Sequence, residues 1–169
     1  MAIINKKLVD GIKVELDHSE IQYCQMVGRN RSLVARGNNV KDAKMGNQDG
    51  ADADVLGFMG EYAFAKHFNL FPDIGWSPRS GSQDGVYKEK RYDVKSTKNQ
   101  TSQLLCTLKD NPDVDFYVLC VVQGSVVEIK GWAWKSELVK EENKVDYGYG
   151  WSYGLDQRCL SQFEDVIKK

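Results

Sequence analysis

The chain is poor in the residues that build metal–sulfur centres and in long apolar runs. Its 169 residues include two histidines and four cysteines, and no two cysteines form a Cys-x-x-Cys pair. This spacing disfavours both a structural zinc site and a disulfide framework. No apolar run approaches the roughly 18 residues that a transmembrane helix needs, and the first residues lack the pattern of a signal peptide. We therefore expect a cytoplasmic protein with reduced thiols and no membrane partner.

Net charge is also small, at −1, but it hides two basic stretches. Five basic residues occur between Arg29 and Lys44, and five more occur between Lys88 and Lys98. A nearly neutral protein can bind nucleic acid through local patches of this kind. Basic runs are equally common as solvated surface, so each stretch alone leaves both interpretations open.

Composition and length together favour one soluble mixed α/β domain. Hydrophobic residues make up 41% of the chain and charged residues 28%, as in ordinary globular proteins. A chain of 169 residues is long enough to bury one core. We expect a single domain over 1–169, in which a strand, a helix and a basic loop fill 1–52. The core then fills 53–134, and helices with a glycine–aromatic loop fill 135–169.

Local patterns predict the order of the elements. Alternating apolar and charged residues predict a strand at 12–16, and Ser19-x-x-Gln22 predicts a capping box that opens a helix ending near Val34. A polar loop is expected at 37–50. Helices are expected at 54–68, 135–142 and 155–167, and strands in a hairpin at 87–96 and at 115–122 and 125–134.

Glu61 is an acid within the apolar part of the second predicted helix. It shares a stripe with Gly57 and Phe64 rather than lying on the polar face. Gly57, one turn earlier, would let another part of the backbone approach closely. Because an unpaired buried carboxylate is costly, Glu61 needs a partner. The partner is either a salt bridge or cap within the protein, or a metal ion.

Two aspartates are expected to face each other across the predicted hairpin. A tight turn centred on Lys88-Glu89 places Asp84 opposite Asp93, with Cβ atoms about 4.5–5.5 Å apart. Two like charges at that distance repel unless a cation lies between them. Lys88-Glu89 is not a favoured turn pair, and a loop of odd length would break the pairing.

Strand alternation assigns the neighbours of Asp93 to two faces. Asp93 and Lys95 project together, whereas Tyr92 and Val94 point into the core. Two carboxylates and the Val94 carbonyl would give Mg²⁺ the oxygen ligands that it prefers. Lys95 beside such a metal would orient or deprotonate the attacking water, or neutralise developing negative charge.

These residues resemble a known superfamily. Gly57-Phe-Met-Gly-Glu61-Tyr-Ala-Phe-Ala, Asp84-Gly85 and Asp93-Val-Lys95-Ser-Thr97 are similar to the PD-(D/E)XK nucleases, most of all to their small phage-type members. The resemblance covers about 57–131. It implies a restriction-endonuclease-like αβββαβ core, with a mixed central sheet flanked by helices.

The resemblance also implies an activity and the roles of the site residues. The activity is hydrolysis of phosphodiesters with Mg²⁺ or Mn²⁺, in DNA more than in RNA. Glu61 matches the helix acid, Asp84 and Asp93 match the strand ligands of the metal, joined by the Val94 carbonyl, and Lys95 matches the catalytic lysine. Many members act as dimers, so a homodimer is an expectation by resemblance.

Two rival motifs and one rival function remain open. Asp73, in the literal Pro72-Asp73 pair, competes with Asp84, and Glu128-Ile129-Lys130, with Asp113 or Asp115 upstream, competes with Asp93-Lys95. A catalytically inactive nuclease-like module that binds nucleic acid or protein, such as a phage inhibitor of a host factor, would carry a similar pattern.

Further residues are candidates for contact with nucleic acid. Basic or hydroxyl side chains near the site are expected to contact phosphate; they are Arg29, Arg31, Lys41, Lys44, Ser96, Thr97 and Lys98. Four aromatic residues of a glycine-rich stretch either stack on bases or pack within a loop; they are Tyr147, Tyr149, Trp151 and Tyr153.

Overall fold

The computed structural model describes residues 10–37, 50–75, 83–109 and 111–163. Its helices are α1 (His18–Gly37), α2 (Gly50–His67) and α3 (Lys135–Leu138), with 3₁₀ turns at Glu141–Asn143 and Gln157–Cys159. Its strands are β1 (Ile12–Glu15), β2 (Gly85–Tyr87), β3 (Lys90–Thr97), β4 (Leu104–Thr107), β5 (Phe116–Gln123), β6 (Val126–Trp134), β7 (Lys144–Asp146) and β8 (Trp151–Leu155). The mixed α/β class is thus confirmed. Among the described helices, none has the length and apolar character needed to cross a bilayer.

The strands form two sheets. The larger has the order β1-β6-β5-β3-β2, and the smaller has the order β4-β8-β7. Within the larger sheet β3 and β5 run parallel, and the other neighbouring strands run antiparallel. Two parallel strands need a crossover, and here the crossover passes through β4 in the smaller sheet. Helix α2 packs on one face of the larger sheet, and α1 packs against α2.

Strand β5 is buried on both faces because each face meets its own cluster. Phe116, Val118 and Cys120 point toward the helices, in a cluster that includes most of the core aromatic residues. Tyr117 and Leu119 point the other way, toward β4 and α3. A strand covered on both sides reads as a continuous apolar run, which is why 115–122 was recognisable from sequence.

The first helix begins two residues earlier than predicted, because its cap is Asp17 and not Ser19. The Asp17 N–H donates to Glu20 Oε2 at 2.8 Å, and the Glu20 N–H donates to Asp17 Oδ1 at 2.8 Å. Asp17-x-x-Glu20 is therefore the capping box, and the prediction of Ser19-x-x-Gln22 was wrong. An aspartate cap paired with a charged glutamate also suits the positive end of the helix dipole better.

The predicted closing helix at 155–167 was also wrong over 155–163, and residues 164–167 lie outside the described residues. Leu155 ends β8, a 3₁₀ turn follows at Gln157–Cys159, and Ser161 forms an antiparallel bridge with Trp132. Strands β4, β7 and β8 were not predicted, and β8 lies in the glycine–aromatic stretch that was expected to be a loop. The helix at 135–142 stops at Leu138. Most of the basic loop at 37–50, including Lys41 and Lys44, lies outside the described residues.

Arg91 and Asp115 join the starts of β3 and β5. The backbone N–H and the guanidinium Nε of Arg91 both donate to Asp115 Oδ2, at 2.8 and 3.1 Å, and Nη2 donates to Oδ1 at 3.0 Å. These hydrogen bonds lower the pKa of Asp115 from 3.8 to about 2.

Replacing Asp115 with asparagine should lower the stability of the protein at neutral pH. Because the folded-state pKa is depressed, the stabilisation is present above pH 3.8 and is lost as the pH falls through about 2. Urea denaturation across this range should show wild type and Asp115→Asn converging at the acid end. Asp113→Asn is the matched control, since exposed Asp113 lies 3.7 Å from Arg91 Nη1. A gap between wild type and Asp115→Asn that stays constant down to pH 2 would contradict this account.

Candidate active site at the β2–β3 hairpin

The hairpin has the register that the sequence predicted. Gly85 pairs with Tyr92 and Tyr87 pairs with Lys90, across a two-residue turn. Lys88 and Glu89 take φ angles of 48° and 66° in that turn. Positive φ at both central residues is the geometry of the primed turns that match strand twist. The prediction that an unfavourable residue pair still forms a tight turn is confirmed.

Asp84 lies just beyond β2 and completes its pairing with β3. The Asp84 N–H donates to the Tyr92 carbonyl at 2.8 Å, and the Val94 N–H donates to Asp84 Oδ2 at 2.7 Å. Since β2 begins at Gly85, the side chain of Asp84 accepts the bond that a longer strand would accept with a carbonyl. The carboxylate is thereby fixed against the backbone between Asp93 and Lys95.

Asp93 and Lys95 form an ion pair on one face of β3. Lys95 Nζ lies 2.8 Å from Asp93 Oδ2, and Asp93 is only 8% exposed. Tyr92 and Val94 are buried on the opposite face, as alternation predicted. The Lys95 ammonium also lies 5.9 Å from the centroid of the Tyr117 ring. Burial acts to lower the pKa of Lys95, but the charge of Asp93, the hydrogen bond to Asp93 and the charge of Asp84 together outweigh burial, and the pKa is raised.

Glu61 has a partner within the protein. Its Oε2 lies 3.1 Å from Arg31 Nη1, and both side chains are largely buried. Arg31 also donates from Nε to the Gly75 carbonyl at 2.9 Å and from Nη2 to the Asp73 carbonyl. Its guanidinium lies over the Phe58 ring at 4.8 Å. The salt bridge left open by the sequence is thus present, and Arg31, expected at the nucleic acid, is engaged by Glu61 and this loop.

Arg31 is a site residue whose role the sequence did not reveal. It joins α1, α2 and the loop at 71–75, and a contact between two helices cannot be read from the local pattern of either. The same contacts place the rival Asp73 beside Arg31, where its Oδ1 accepts from the Gly75 N–H at 2.9 Å. The structure puts Asp84, and not Asp73, against the backbone of β3.

The three carboxylates act on one another electrostatically. Burial raises the pKa of Asp84 well above its usual range, and the negative charges of Glu61 and Asp93 raise it further. The hydrogen bond from Val94 and the charge of Lys95 act in the opposite direction without cancelling the rise. Helix α2 and the hairpin therefore bring Glu61, Asp84 and Asp93 within electrostatic reach of each other.

The carboxylate oxygens of Glu61, Asp84 and Asp93 are of the kind that a hard divalent cation prefers. In this structure, however, they form ion pairs and a hydrogen bond within the protein. In the described part of the chain, no three His, Cys, Asp or Glu side chains are grouped so as to hold a metal. Asp93 is paired with Lys95, Glu61 with Arg31, and Asp84 with the Val94 N–H. An all-oxygen set of this kind is what Mg²⁺ and Mn²⁺ select. Binding of either metal by this set would require at least one of these ion pairs to open.

Gly60, and not Gly57, allows α2 to approach β3. A Cβ on Gly60 would overlap Ser96 Oγ and lie 3.2 Å from Val94 Cγ1, whereas a Cβ on Gly57 would meet no atom within 4 Å. The prediction for Gly57 was therefore wrong by nearly one helical turn. Ser96 faces the helix and its hydroxyl donates to the Gly57 carbonyl at 3.5 Å. The close approach at Gly60 sets the height of Glu61 above the hairpin.

Alanine substitutions at these two glycines should have opposite effects. Gly60→Ala should destabilise the protein by about 1–3 kcal/mol, because the added methyl forces α2 away from β3. Gly57→Ala, on the same helix, should stabilise by up to about 1 kcal/mol through helix propensity. Urea denaturation of both variants tests this. Equal effects of the two substitutions would show that Gly60 does not define the packing distance.

The other residues that were predicted to contact nucleic acid differ in how exposed they are. Arg29 is exposed on α1, and Lys98 is exposed after β3. Thr97 Oγ1 accepts from the Asn99 N–H at 3.1 Å, within the β3–β4 loop. Ser96 is turned toward α2. Thr97 and Lys98 thus lie at and directly after the end of the strand that carries Lys95, whereas Arg29 lies on α1, two residues before Arg31.

The rival motif Glu128-Ile129-Lys130 forms a separate ion pair in β6. Lys130 is 8% exposed and its Nζ contacts Glu128 Oε1, which also accepts from the Gly11 N–H at 3.0 Å. Asp115, a possible second acid for this motif, is held by Arg91. The pair therefore ties β6 to the residue that precedes β1, which is a structural role.

Comparisons with protein-family models, with curated proteins and with solved structures found no match to this chain. Any functional conclusion therefore depends on the residues themselves. The features that bear on function are the neighbouring carboxylates of Asp84, Asp93 and Glu61 and the cation of Lys95.

Proposed function

We propose that this protein is a nuclease that hydrolyses phosphodiester bonds with Mg²⁺ or Mn²⁺, and that DNA is its substrate. One observation carries the proposal. Asp84 and Asp93, from opposite sides of a hairpin, and Glu61, from the helix packed on it, concentrate negative charge beside the Lys95 ammonium. A purely structural ion pair at Asp93 and Lys95 would not need two further carboxylates near it.

Each residue has a role in this reaction. Asp84, Asp93 and the Val94 carbonyl would hold the metal, with Glu61 binding it or one of its waters. The metal supplies polarisation of the phosphate and a lowered pKa for bound water. Lys95, a cation held by Asp93, orients the attacking water and offsets the charge that develops on the phosphate oxygens.

The atoms balance as in any phosphodiester hydrolysis. The water oxygen forms a bond to phosphorus while the bond from phosphorus to the leaving oxygen breaks. The products are a phosphate monoester and a hydroxyl. For Lys95 to serve the water, its ammonium group must move away from Asp93, with which it is paired in this structure.

We also propose that the fold is a variant of the restriction-endonuclease-like core. The support is the order of α2, the acid-bearing β2–β3 hairpin, and the β5–β6 pair in a mixed sheet. The variation lies between β3 and β5, where the described chain passes through β4 and the smaller sheet, with no helix in the part described.

A substrate panel tests the activity. Purified protein is incubated with plasmid, linear duplex, single-stranded DNA and RNA, in Mg²⁺, in Mn²⁺ and in EDTA. We expect cleavage with metal, none with EDTA, and none by Asp93→Ala in any condition. Cleavage of equal rate by wild type and Asp93→Ala would mean a contaminating nuclease or a different site, and would end the assignment.

The ion pairs favour one alternative, a nuclease-like module that binds without cleaving. Arg31 and Lys95 already neutralise Glu61 and Asp93, so two of the three carboxylates of this site are paired without metal. The two functions differ in their response to metal. A nuclease should gain thermal stability with Mg²⁺ or Mn²⁺, because a ligand that binds only the folded state stabilises it. A binding module should gain none, and its affinity for nucleic acid or protein should survive chelation.

A further inference from the structure

The turn between β7 and β8 exposes three large aromatic side chains. Tyr147, Tyr149 and Trp151 are 54%, 65% and 58% exposed. None of the three takes part in a ring–ring contact with a described residue, whereas Trp132 and Trp134 are both in the aromatic core. We call residues 146–151 the aromatic turn. Its rings are available to a partner, and their exposure is not explained by packing.

Glycine conformations hold the rings apart. Asp146 pairs with Trp151 at the base of the turn, and the Gly148 N–H donates to Asp146 Oδ1 at 2.7 Å. Gly148 and Gly150 have φ angles of 94° and 100°, which side-chain-bearing residues rarely adopt. Tyr147, Tyr149 and Trp151 are therefore separated from one another by single glycines, which have no side chain. The arrangement presents separate flat faces rather than one continuous apolar patch.

The aromatic turn is fixed to the loop that follows the candidate catalytic strand. The Tyr147 hydroxyl donates to Gln103 Oε1, in the loop between β3 and β4. That loop is anchored by Gln157, whose Nε2 donates to the Gln100 carbonyl at 2.7 Å and to the Ser102 carbonyl at 2.8 Å. The same loop carries Lys98, which is exposed and has no ion-pair partner in the described part of the chain.

The smaller sheet also lies against the face of β3 that carries Asp93 and Lys95. Tyr117 and Leu119 are the β5 register partners of these two residues. Both pack in one cluster with Cys106 of β4, and Cys106 pairs with Tyr153 of β8. The aromatic turn is thus an extension of the layer that covers the candidate active site.

We propose that Tyr147, Tyr149 and Trp151 stack on unpaired bases of a single-stranded segment of the nucleic acid that enters the candidate active site. This inference rests on the proposed nuclease function. Flat aromatic faces, held against a loop that carries a cation, are a combination that binds single strands, with the rings on the bases and the cation on the phosphates. The turn carries no aliphatic side chain, which argues for bases over the apolar surface of a protein partner.

Binding in EDTA isolates this contact from cleavage. The probes are a fluorescein-labelled oligothymidylate of about 15 nucleotides, an abasic strand of the same length, and a duplex of the same length. Fluorescence anisotropy should show Trp151→Ala binding the oligothymidylate at least about fivefold more weakly than wild type. The abasic strand and the duplex should bind wild type and Trp151→Ala alike. Trp151→Phe, which keeps a ring, should restore most of the affinity.

Leu33→Ala is the matched control, since Leu33 is 66% exposed on α1 and lies outside the aromatic turn. It should leave all three affinities unchanged. The proposal is overturned if wild type binds no single strand, or if Trp151→Ala and wild type bind it equally. It is also overturned if Trp151→Ala changes only the oligomeric state in light scattering, because the turn would then be an interface between copies.

The cleavage panel separates this inference from the function on which it rests. Cleavage by wild type together with ring-independent binding would remove the stacking role and leave the nuclease. Ring-dependent binding without cleavage of any substrate would remove the nuclease and leave a single-strand-binding module.

Discussion

Lys95→Ala is expected to lower metal-dependent cleavage by about 10²- to 10⁴-fold, the range typical of losing one positioned catalytic cation or proton carrier. The substitution removes the ammonium that lies 2.8 Å from Asp93 Oδ2, on the face of β3 that carries the proposed metal ligands. It leaves Asp84, Asp93 and Glu61 in place. Metal binding should therefore persist while turnover is lost, which single-turnover rates and a metal titration followed by thermal melting will show.

The rival motif supplies the control for this experiment. Lys130→Met removes the other lysine that follows an acid by two residues on a strand, and keeps an unbranched chain in its buried position. It should lower stability, because Glu128 loses its partner, but the cleavage rate of the folded fraction should stay near that of wild type. If Lys130→Met abolishes cleavage and Lys95→Ala does not, the catalytic assignment moves to β6.

Asp84→Asn is expected to make the protein more stable without metal and inactive with it. Burial and the charges of Glu61 and Asp93 raise the pKa of Asp84, so the ionised carboxylate destabilises the folded state. Asparagine keeps an oxygen for the Val94 N–H and removes the charge. A gain of about 1 kcal/mol would raise Tm by about 2–4 °C for a chain of this size. Differential scanning calorimetry in EDTA measures it.

The stability gained on adding metal should be smaller for Asp84→Asn than for wild type, although the variant is the more stable protein without metal. At a metal concentration of about 100 Kd, wild type should gain about 2.7 kcal/mol, and Asp84→Asn should gain little because a ligand is gone. The pH dependence adds a second readout. Since the folded-state pKa of this acid is raised, wild type should lose stability as pH rises through that pKa, and Asp84→Asn should lack this loss. Lower stability of Asp84→Asn in EDTA would show that Asp84 serves only the backbone of β3.

The core of the candidate site was predictable because its geometry is local. Strand alternation alone puts Asp93 and Lys95 on one face, and the two-residue turn at Lys88-Glu89 brings Asp84 to the backbone of β3. Both follow from the period of a strand and the length of a turn. The partner of Glu61 required the packing of α1 on α2, which brings Arg31 to it from 30 residues away. No local pattern carries that information.

The errors have the same origin. The stretch 155–167 has the spacing of apolar residues that suits a helix, but Leu155 is taken by pairing with Leu104, which lies far earlier in the chain. Gly60 and Gly57 are both small residues on α2, and only the position of Ser96 distinguishes them. Local preference was overruled in each case by a neighbour distant in sequence.

The pairing of β1 with β6 joins two strands that are synthesised far apart in time. Gly11, just before β1, and Glu128 in β6 are 117 residues apart and share a hydrogen bond. A ribosome that adds about 5–20 residues per second therefore leaves β1 without its partner for about 6–23 s after it is made. During this interval β1 lacks the hydrogen-bond partners that β6 provides, and its pairing with β6 is a long loop closure of the kind that slows folding. Chaperone demand should thus be high in the interval before Trp134 emerges.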